Sequence, residues 1–166
     1  MLRQSQDAAT VLGDPLLREA AAMGLLLAGE RNSLWRFPFS FEIVNGLYIL
    51  SDLPGNEPDC VMAVGGTTQL LAAASYPQQD IGSALDLGCG CGVLALLIAA
   101  AAERVIATDI NPRALQFAGI NAAINGIDNV EFRAGSLYRP VEGERFDLIV
   151  AQPPFYPRSE GTETVW

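Results

Sequence analysis

Short apolar runs and helical patterns alternate along the second half of the chain. Four runs rich in Ala, Val, Ile and Leu predict strands at residues 83–87, 104–108, 130–134 and 146–151. Residues 92–102 have the composition of a buried helix, and Asn111-Pro112 and Asn125-Gly126 mark the start and end of another. Strands that alternate with helices predict an α/β fold: a Rossmann-like, mostly parallel sheet with helices on both faces and right-handed crossovers.

The first part of the chain follows other patterns. Residues 1–30 predict a helix, with Asp14 as its N-cap, Pro15 at its first position and Gly29 as its stop. Residues 37–43 alternate between apolar and polar side chains, which is typical of a strand.

A β-hairpin is predicted where Asn45-Gly46 separates this strand from the apolar run at residues 47–50. Residues 60–64 predict another short strand. The helix that follows Gly65-Gly66 is predicted to be capped by Thr67 or Thr68.

These patterns divide the chain into two parts. Residues 1–64 are expected to form an N-terminal appendage of a helical segment and a β-hairpin, and residues 65–166 a catalytic core. The fourth predicted strand of the core ends about fifteen residues before Trp166, whereas a doubly wound sheet normally continues with further strands. We therefore expect a truncated core, or an unusual minimal form, that lacks the C-terminal strands of the usual fold.

Composition narrows the class of partner. Half of the residues are hydrophobic, and the net charge is −9 with ten arginines and neither lysine nor histidine. Extended duplex nucleic acid is not an expected partner, because such binding needs a basic face, and a protein or a small molecule fits the charge better. The sequence has no apolar run long enough for a bilayer and no signal-peptide pattern, so we expect a cytoplasmic protein without membrane contact.

The three cysteines, Cys60, Cys89 and Cys91, do not suggest a disulfide framework or a metal site. Cys89 and Cys91 are too close together in a tight turn to form a framework disulfide. Without histidine, a zinc site would need carboxylate ligands, and no such spacing is evident.

A glycine-rich turn, Asp86-Leu-Gly-Cys-Gly-Cys-Gly92, joins the first predicted strand of the core to its helix. Glycines at such a turn let a ligand approach the backbone closely. A dinucleotide-binding fold would have its third glycine where this chain has Val93, and the Asp86 carboxylate would repel a pyrophosphate. The same carboxylate could instead pair with the ammonium group of an amino acid.

This turn resembles the first motif of class I S-adenosylmethionine-dependent methyltransferases, and the resemblance extends over about residues 60–157. It implies S-adenosyl-L-methionine as the cofactor, with its methionine and ribose parts held by the turn. It also implies that Asp109 accepts hydrogen bonds from both ribose hydroxyls and that Ile110 packs on adenine. The implied cofactor-binding residues are Asp86, Gly88, Gly90, Gly92, Asp109, Ile110, Ser136 and Leu137.

Two of these residues have alternative interpretations. Asp109 could simply cap the helix that follows, since Asn111-Pro112 comes next. Ser136 stands where the family often has an aspartate that contacts the adenine amine, and a serine hydroxyl carries no charge. It could equally be an ordinary loop serine.

A second motif, Gln152-Pro-Pro-Phe155, follows the fourth predicted strand. It resembles the Asn-Pro-Pro-Tyr or Asn-Pro-Pro-Phe segment of methyltransferases that modify a nitrogen attached to a planar group. The resemblance implies catalytic roles: the Gln152 side-chain oxygen and the Pro153 carbonyl accept the N–H groups of the substrate, and Phe155 stacks on its planar part. Gln152 is one methylene longer than the usual asparagine, which shifts its oxygen by about 1 Å.

Together the motifs predict an S-adenosylmethionine-dependent N-methyltransferase that acts on a protein glutamine amide, a nucleobase amine or a small molecule. One alternative is a cofactor-binding remnant without turnover, which the truncation and Gln152 would favour. The other is a nicotinamide-dependent oxidoreductase, which the lack of lysine and histidine disfavours. Homodimer formation through the N-terminal appendage is a further option.

Overall fold

The computed structural model describes residues 14–22, 26–28, 35–55 and 57–152. The chain forms two compact units, residues 1–39 and residues 40–166. The predicted roles of Pro153 and Phe155, and the helix predicted before residue 14, lie outside the described residues.

The first unit contains helix α1, Asp14–Ala22, and two short strands, β1, Leu27–Ala28, and β2, Trp35–Arg36. The strands pair antiparallel, with Leu27 opposite Arg36. Asp14, the predicted N-cap, is the first described residue of this helix, and the predicted continuation of the helix through Leu27 is wrong. Strand pairing outweighs the helical spacing of apolar residues there, because intrinsic helix propensity is a weak preference.

The predicted hairpin is confirmed as strands β3, Phe39–Val44, and β4, Leu47–Asp52. Asn45 and Gly46 have φ angles of +49° and +85°, as a tight turn that matches the twist of two strands requires. The inward side chains of the hairpin include the buried residues Val44, Ile49 and Ser51.

Residues 60–64 do not form the predicted strand. Val61 alone continues the pairing of β4: its carbonyl accepts the Asp52 N–H at 3.0 Å, and its N–H donates to the Asp52 carboxylate at 2.9 Å. Helix α2, Gly66–Ser75, then begins after Gly65 without a side-chain cap, so the predicted threonine cap is wrong.

The second unit is built on a parallel sheet of four strands: β5, Ile81–Leu87; β6, Ala102–Asp109; β7, Val130–Ala134; and β8, Leu148–Ala151. Their order across the sheet is β7-β6-β5-β8, and every neighbouring pair is parallel. The predicted Rossmann-like α/β fold is therefore confirmed. Because β6 lies on one side of β5 and β8 on the other, the strand order reverses at β5, and such folds bind ligands at the carboxyl ends of the strands beside that point.

Two α-helices connect the strands: α3, Val93–Ala99, between β5 and β6, and α4, Pro112–Ile124, between β6 and β7. A short 3-10 helix, Arg139–Val141, lies between β7 and β8. Helix α3 is apolar all round and almost wholly buried. It is shorter than predicted because Ala102 already pairs with Ile81 in the sheet. Asn111 caps α4 as predicted, since its side chain accepts the Arg113 N–H at 3.0 Å.

Strand β8 begins at Leu148 rather than at residue 146. Phe146 instead packs against the apolar core formed by Leu85, Ile106 and Val141. Among the helices of the described ranges, none is long and apolar enough to cross a membrane.

Candidate functional site

The glycine turn lies at the carboxyl edge of the sheet, directly after β5. The N–H groups of Gly88 and Cys89 both donate to the Thr108 carbonyl in β6, at 2.8 and 2.9 Å. The Gly92 N–H donates to the Cys89 carbonyl at 2.8 Å and closes the turn before α3. The turn is therefore fixed both by the neighbouring strand and by its own backbone.

The turn is open above Gly88 and Gly90. Their φ angles are +76° and +54°, and a Cβ atom built on either would meet no atom of the described residues within 4 Å. Glycine adopts this left-handed region without steric cost. A ligand can therefore come close to the backbone here, as the predicted role of these glycines requires.

Gly92 is different, because it is packed against helix α4. Its φ angle is +84°, and an added Cβ would lie 2.8 Å from the Cβ of Ala118. This distance is shorter than carbon atoms can approach without displacement. Besides its predicted place in the cofactor loop, Gly92 thus lets α4 pack against the turn.

Gly92→Ala should destabilise the fold by about 2–4 kcal/mol, because the methyl group would overlap Ala118 and the left-handed backbone adds strain. Urea unfolding measures the change. Gly119→Ala is the matched control: Gly119 follows Ala118 in α4, and a Cβ atom added to it would have no neighbour within 4 Å. Alanine there should be neutral or stabilising by up to about 1 kcal/mol. Equal stability of Gly92→Ala and the native chain would contradict this packing role.

Asp86 is a buried carboxyl group directly below the turn. Its side chain is 1% exposed, and Oδ2 accepts the Ala95 N–H of α3 at 3.0 Å. Oδ1 is buried and has no hydrogen-bond partner among the described residues. Burial raises the pKa of Asp86 to about 7; the Ala95 N–H opposes the shift and the charge of Asp109 adds to it. An unpartnered buried oxygen costs free energy, which a cationic donor from a ligand would recover.

Asp109 joins three segments at the carboxyl edge. Its Oδ2 accepts the Gly90 N–H at 2.9 Å, and its Oδ1 accepts the Asn111 N–H at 2.8 Å. Its backbone carbonyl accepts the Gly135 N–H at 3.0 Å. The N-cap of α4 is Asn111 rather than Asp109. Each carboxylate oxygen can accept a second hydrogen bond, so both remain able to receive ribose hydroxyls.

Apolar side chains follow the ends of β6 and β7. Ile110 is 46% exposed and Leu137 is 57% exposed, which leaves apolar surface for a flat ring. Leu137 has a φ angle of +49°, a conformation that is uncommon outside glycine and that clusters at functional sites. Ser136 is half-buried, and its backbone carbonyl accepts the Arg139 N–H at 3.2 Å.

Gln152 comes directly after β8, beside the end of β5. Its Nε2 donates to the Thr67 hydroxyl at 2.6 Å. With the amide nitrogen committed to Thr67, Oε1 is the group left to accept hydrogen bonds, as the predicted role requires. The sequence predicted Thr67 only as a helix cap, because no local signal links Thr67 with Gln152, which is so far away in the chain.

A cavity, the Cys91 thiol and possible metal ligands are the other places where a ligand or a reaction could be sought. A cavity of about 660 Å³ has walls that include Tyr76, Leu97, Ala100 and Asn129, towards the amino edge of the sheet. Burial raises the pKa of Cys91 to about 11, which keeps this thiol protonated. The described ranges hold no cluster of three side chains suited to a metal ion.

Residues 62–166 match the model of the methyltransferase small domain family. The chain belongs to this family. The family predicted from the two motifs, the small-domain group of S-adenosylmethionine-dependent methyltransferases, is therefore confirmed, and with it the predicted cofactor.

Three proteins with sequences similar to this small-domain methyltransferase are themselves named methyltransferases. A release factor glutamine methyltransferase from Xylella fastidiosa is 47% identical over 72 residues, which cover 42% of this chain and 26% of that protein. A ribosomal RNA small subunit methyltransferase C from Salmonella arizonae is 36% identical over 115 residues, 68% of this chain and 32% of that protein. The same-named enzyme from Alcanivorax borkumensis is 27% identical over 156 residues, 94% of this chain and 47% of that protein. The chain thus spans about a quarter to about a half of the length of these relatives.

Solved structures agree on the fold. Wild-type Trm5b from Pyrococcus abyssi has a TM-score of 0.59 at 22% identity, over 78% of this chain and 39% of that chain. A SAM-dependent methyltransferase from Agrobacterium tumefaciens has a TM-score of 0.52 at 21% identity, over 76% of this chain and 45% of that chain. At such identities the likeness supports the architecture of the small-domain methyltransferase and nothing finer.

Proposed function

We propose that this small-domain methyltransferase transfers a methyl group from S-adenosylmethionine to a nitrogen attached to a planar group, with a protein glutamine amide as the favoured acceptor. The observation that carries the proposal is the position of the Gln152 carboxamide. Gln152 directly follows β8, and its amide nitrogen donates to the Thr67 hydroxyl of α2. That strand lies next to β5, which leads into the glycine turn.

The residues at the carboxyl edge fit the cofactor. When bound, S-adenosylmethionine supplies an electrophilic methyl group on a positively charged sulfur. Asp86 Oδ1 offers a buried acceptor for an ammonium group, and the open glycine turn admits the ligand. The Asp109 carboxylate keeps acceptor capacity for ribose, and Ile110 and Leu137 offer apolar surface for adenine.

Gln152 supplies what a weak nitrogen nucleophile needs. The lone pair of an amide or of an exocyclic base amine is delocalised into the planar group. If Gln152 Oε1 accepts a hydrogen bond from the nitrogen that is to be methylated, it orients that nitrogen. The hydrogen bond also favours localisation of the nitrogen lone pair towards the methyl group. The hydrogen bond with Thr67 holds the carboxamide in place beside the end of β5. No covalent intermediate is required, which suits a chain without histidine.

Charge favours a protein acceptor. The net charge of −9 gives little attraction for a polyphosphate backbone. The relative with the highest of the three identities quoted above is named a release factor glutamine methyltransferase. A ribosomal RNA amine is the second candidate, because a relative named for ribosomal RNA matches 94% of the chain. The cytoplasmic location, the homodimer and the domain boundary after residue 64 stay predictions.

A transfer assay tests this function directly. The chain is incubated with methyl-labelled S-adenosylmethionine and, in separate reactions, a bacterial release factor or small-subunit ribosomal RNA. We expect label in the release factor. Label in the RNA alone would move the acceptor to the second candidate. Absence of label from both, together with no binding of S-adenosylhomocysteine, would overturn the proposal.

Asp109→Ala should weaken S-adenosylhomocysteine binding by about tenfold or more, because it removes the ribose acceptors and frees the Gly90 N–H. Isothermal calorimetry measures the affinity. Asp147→Ala is the control: Asp147 also accepts a backbone N–H, that of Ser83 at 2.9 Å, but at the other end of β5. Its affinity should match that of the native chain. Native affinity in Asp109→Ala would contradict a ribose contact.

A further inference from the structure

Asn121 of α4 and Asn125, the residue directly after this helix, pair with the edge of strand β4 as a neighbouring strand would. Asn121 Oδ1 accepts the Leu50 N–H at 2.8 Å, and its Nδ2 donates to the Leu50 carbonyl at 2.9 Å. Asn125 Oδ1 accepts the Tyr48 N–H at 2.9 Å, and its Nδ2 donates to the Tyr48 carbonyl at 2.7 Å. The spacing allows this, because four helical residues rise about 6 Å and two strand residues about 6.6 Å.

The second Nδ2 hydrogen distinguishes the two asparagines. In Asn125 it goes back to the Asn121 carbonyl of the same helix, at 2.7 Å. In Asn121 it goes to the Cys91 carbonyl in the glycine turn, at 2.9 Å. Asn121 is also fully buried, with 0% exposure. One buried carboxamide therefore bonds to the hairpin and to the turn at the same time.

The Cys91 carbonyl is a sensitive point of the turn. It belongs to the peptide group that carries the Gly92 N–H, which donates to the Cys89 carbonyl. One residue before Cys91, the Gly90 N–H donates to the Asp109 carboxylate. Loss of the Asn121 donor would leave a buried carbonyl unpaired, and rotation of its peptide towards another donor would disturb both neighbouring contacts.

We propose that Asn121 is a positioning residue that couples the β3–β4 hairpin to the cofactor turn. The inference rests on the proposed function, because it takes the turn as the cofactor site. Asn121 holds the turn in its open form only while β4 is seated on α4, so hairpin docking and cofactor binding favour each other. The coupling is reciprocal: a bound cofactor stabilises the hairpin contact by the same factor.

The test compares two variants that each remove one strand-facing carboxamide. We expect Asn121→Ala to weaken S-adenosylhomocysteine binding by about tenfold, because it removes the contact with the Cys91 carbonyl. Asn125→Ala should weaken it by less than about twofold, because it removes one hairpin contact and leaves Asn121 bonded to both β4 and the turn. Calorimetry well below each melting temperature measures the affinities. Equal affinity losses in the two variants would overturn the role of Asn121 as the coupling residue, and native affinity in Asn121→Ala would overturn the coupling itself. Either result leaves the proposed function standing.

A measurement on the native chain keeps the inference testable even if Asn121→Ala does not fold. Amide hydrogen exchange at Leu50 should slow by about tenfold when S-adenosylhomocysteine is saturating, because the ligand stabilises the seated hairpin. Ligand binding without slower exchange at Leu50 would overturn the coupling alone. Failure of the native chain to bind the ligand would overturn the proposed function and the coupling with it.

Discussion

Replacement of Gln152 by alanine should lower methyl transfer by about a thousandfold or more while S-adenosylhomocysteine still binds with native affinity. The side chain lies directly after β8, and its hydrogen bond goes to Thr67 of α2. In the proposed function Gln152 acts on the methyl acceptor, and its loss removes the hydrogen-bond acceptor that orients the nitrogen. Single-turnover transfer of labelled methyl groups, beside calorimetric binding, measures both quantities.

Thr67 provides the matched pair of controls for this result. Thr67→Ser keeps the hydroxyl that receives Gln152 Nε2 and should keep most of the rate. Thr67→Val keeps the shape but not the hydroxyl, and should lower the rate by about tenfold, because the carboxamide loses the contact that fixes its orientation. Loss of cofactor binding in Gln152→Ala would instead give this residue a structural role.

The ligand-free chain should become less stable as the pH rises from about 4 to about 7, by roughly 4 kcal/mol, because of Asp86. Burial raises the pKa of this carboxyl from 3.8 to about 7 in the folded protein. Between these values the folded state binds more protons than the unfolded state, so stability falls with rising pH. The loss is complete above about pH 7, where both states are ionised.

Urea unfolding of the native chain and of Asp86→Asn across this range isolates the effect. The asparagine cannot ionise, so the stability difference between the two proteins should change with pH by the amount given above. Asp52 has the opposite sign, because its hydrogen bond with Arg113 lowers its pKa. Its contribution changes below about pH 4, outside the window. Parallel pH profiles for the two proteins would contradict an ionisable buried Asp86.

The sequence predicted those parts of the fold that rest on local signals. Asn45-Gly46 identified a tight turn, Asn111-Pro112 identified a helix start, and apolar runs identified the strands of the sheet. Errors occurred where pairing with a separate segment decides the conformation. Leu27 pairs with Arg36, and Val61 forms a single rung beside Asp52.

The candidate site divides in the same way. Asp86, Asp109 and the glycines were predicted from the motif, and the structure brings them together at one edge of the sheet. The sequence could not show that Asp86 has an unpartnered oxygen, since burial depends on packing from several elements. Thr67 and Asn121 were missed because their partners lie far away in the chain. An asparagine pair spaced by four on an otherwise apolar helix face was the available signal.

The hydrogen bonds within the glycine turn also bear on how a ligand is received. Thr108 accepts from two of its N–H groups, Asp109 accepts from a third, and Asn121 donates to one of its carbonyls. Few backbone torsions are left to freeze on arrival, so little conformational entropy is lost there and more of the contact free energy is retained as affinity. The conformational entropy of this turn is therefore lost during folding, before any nucleoside binds.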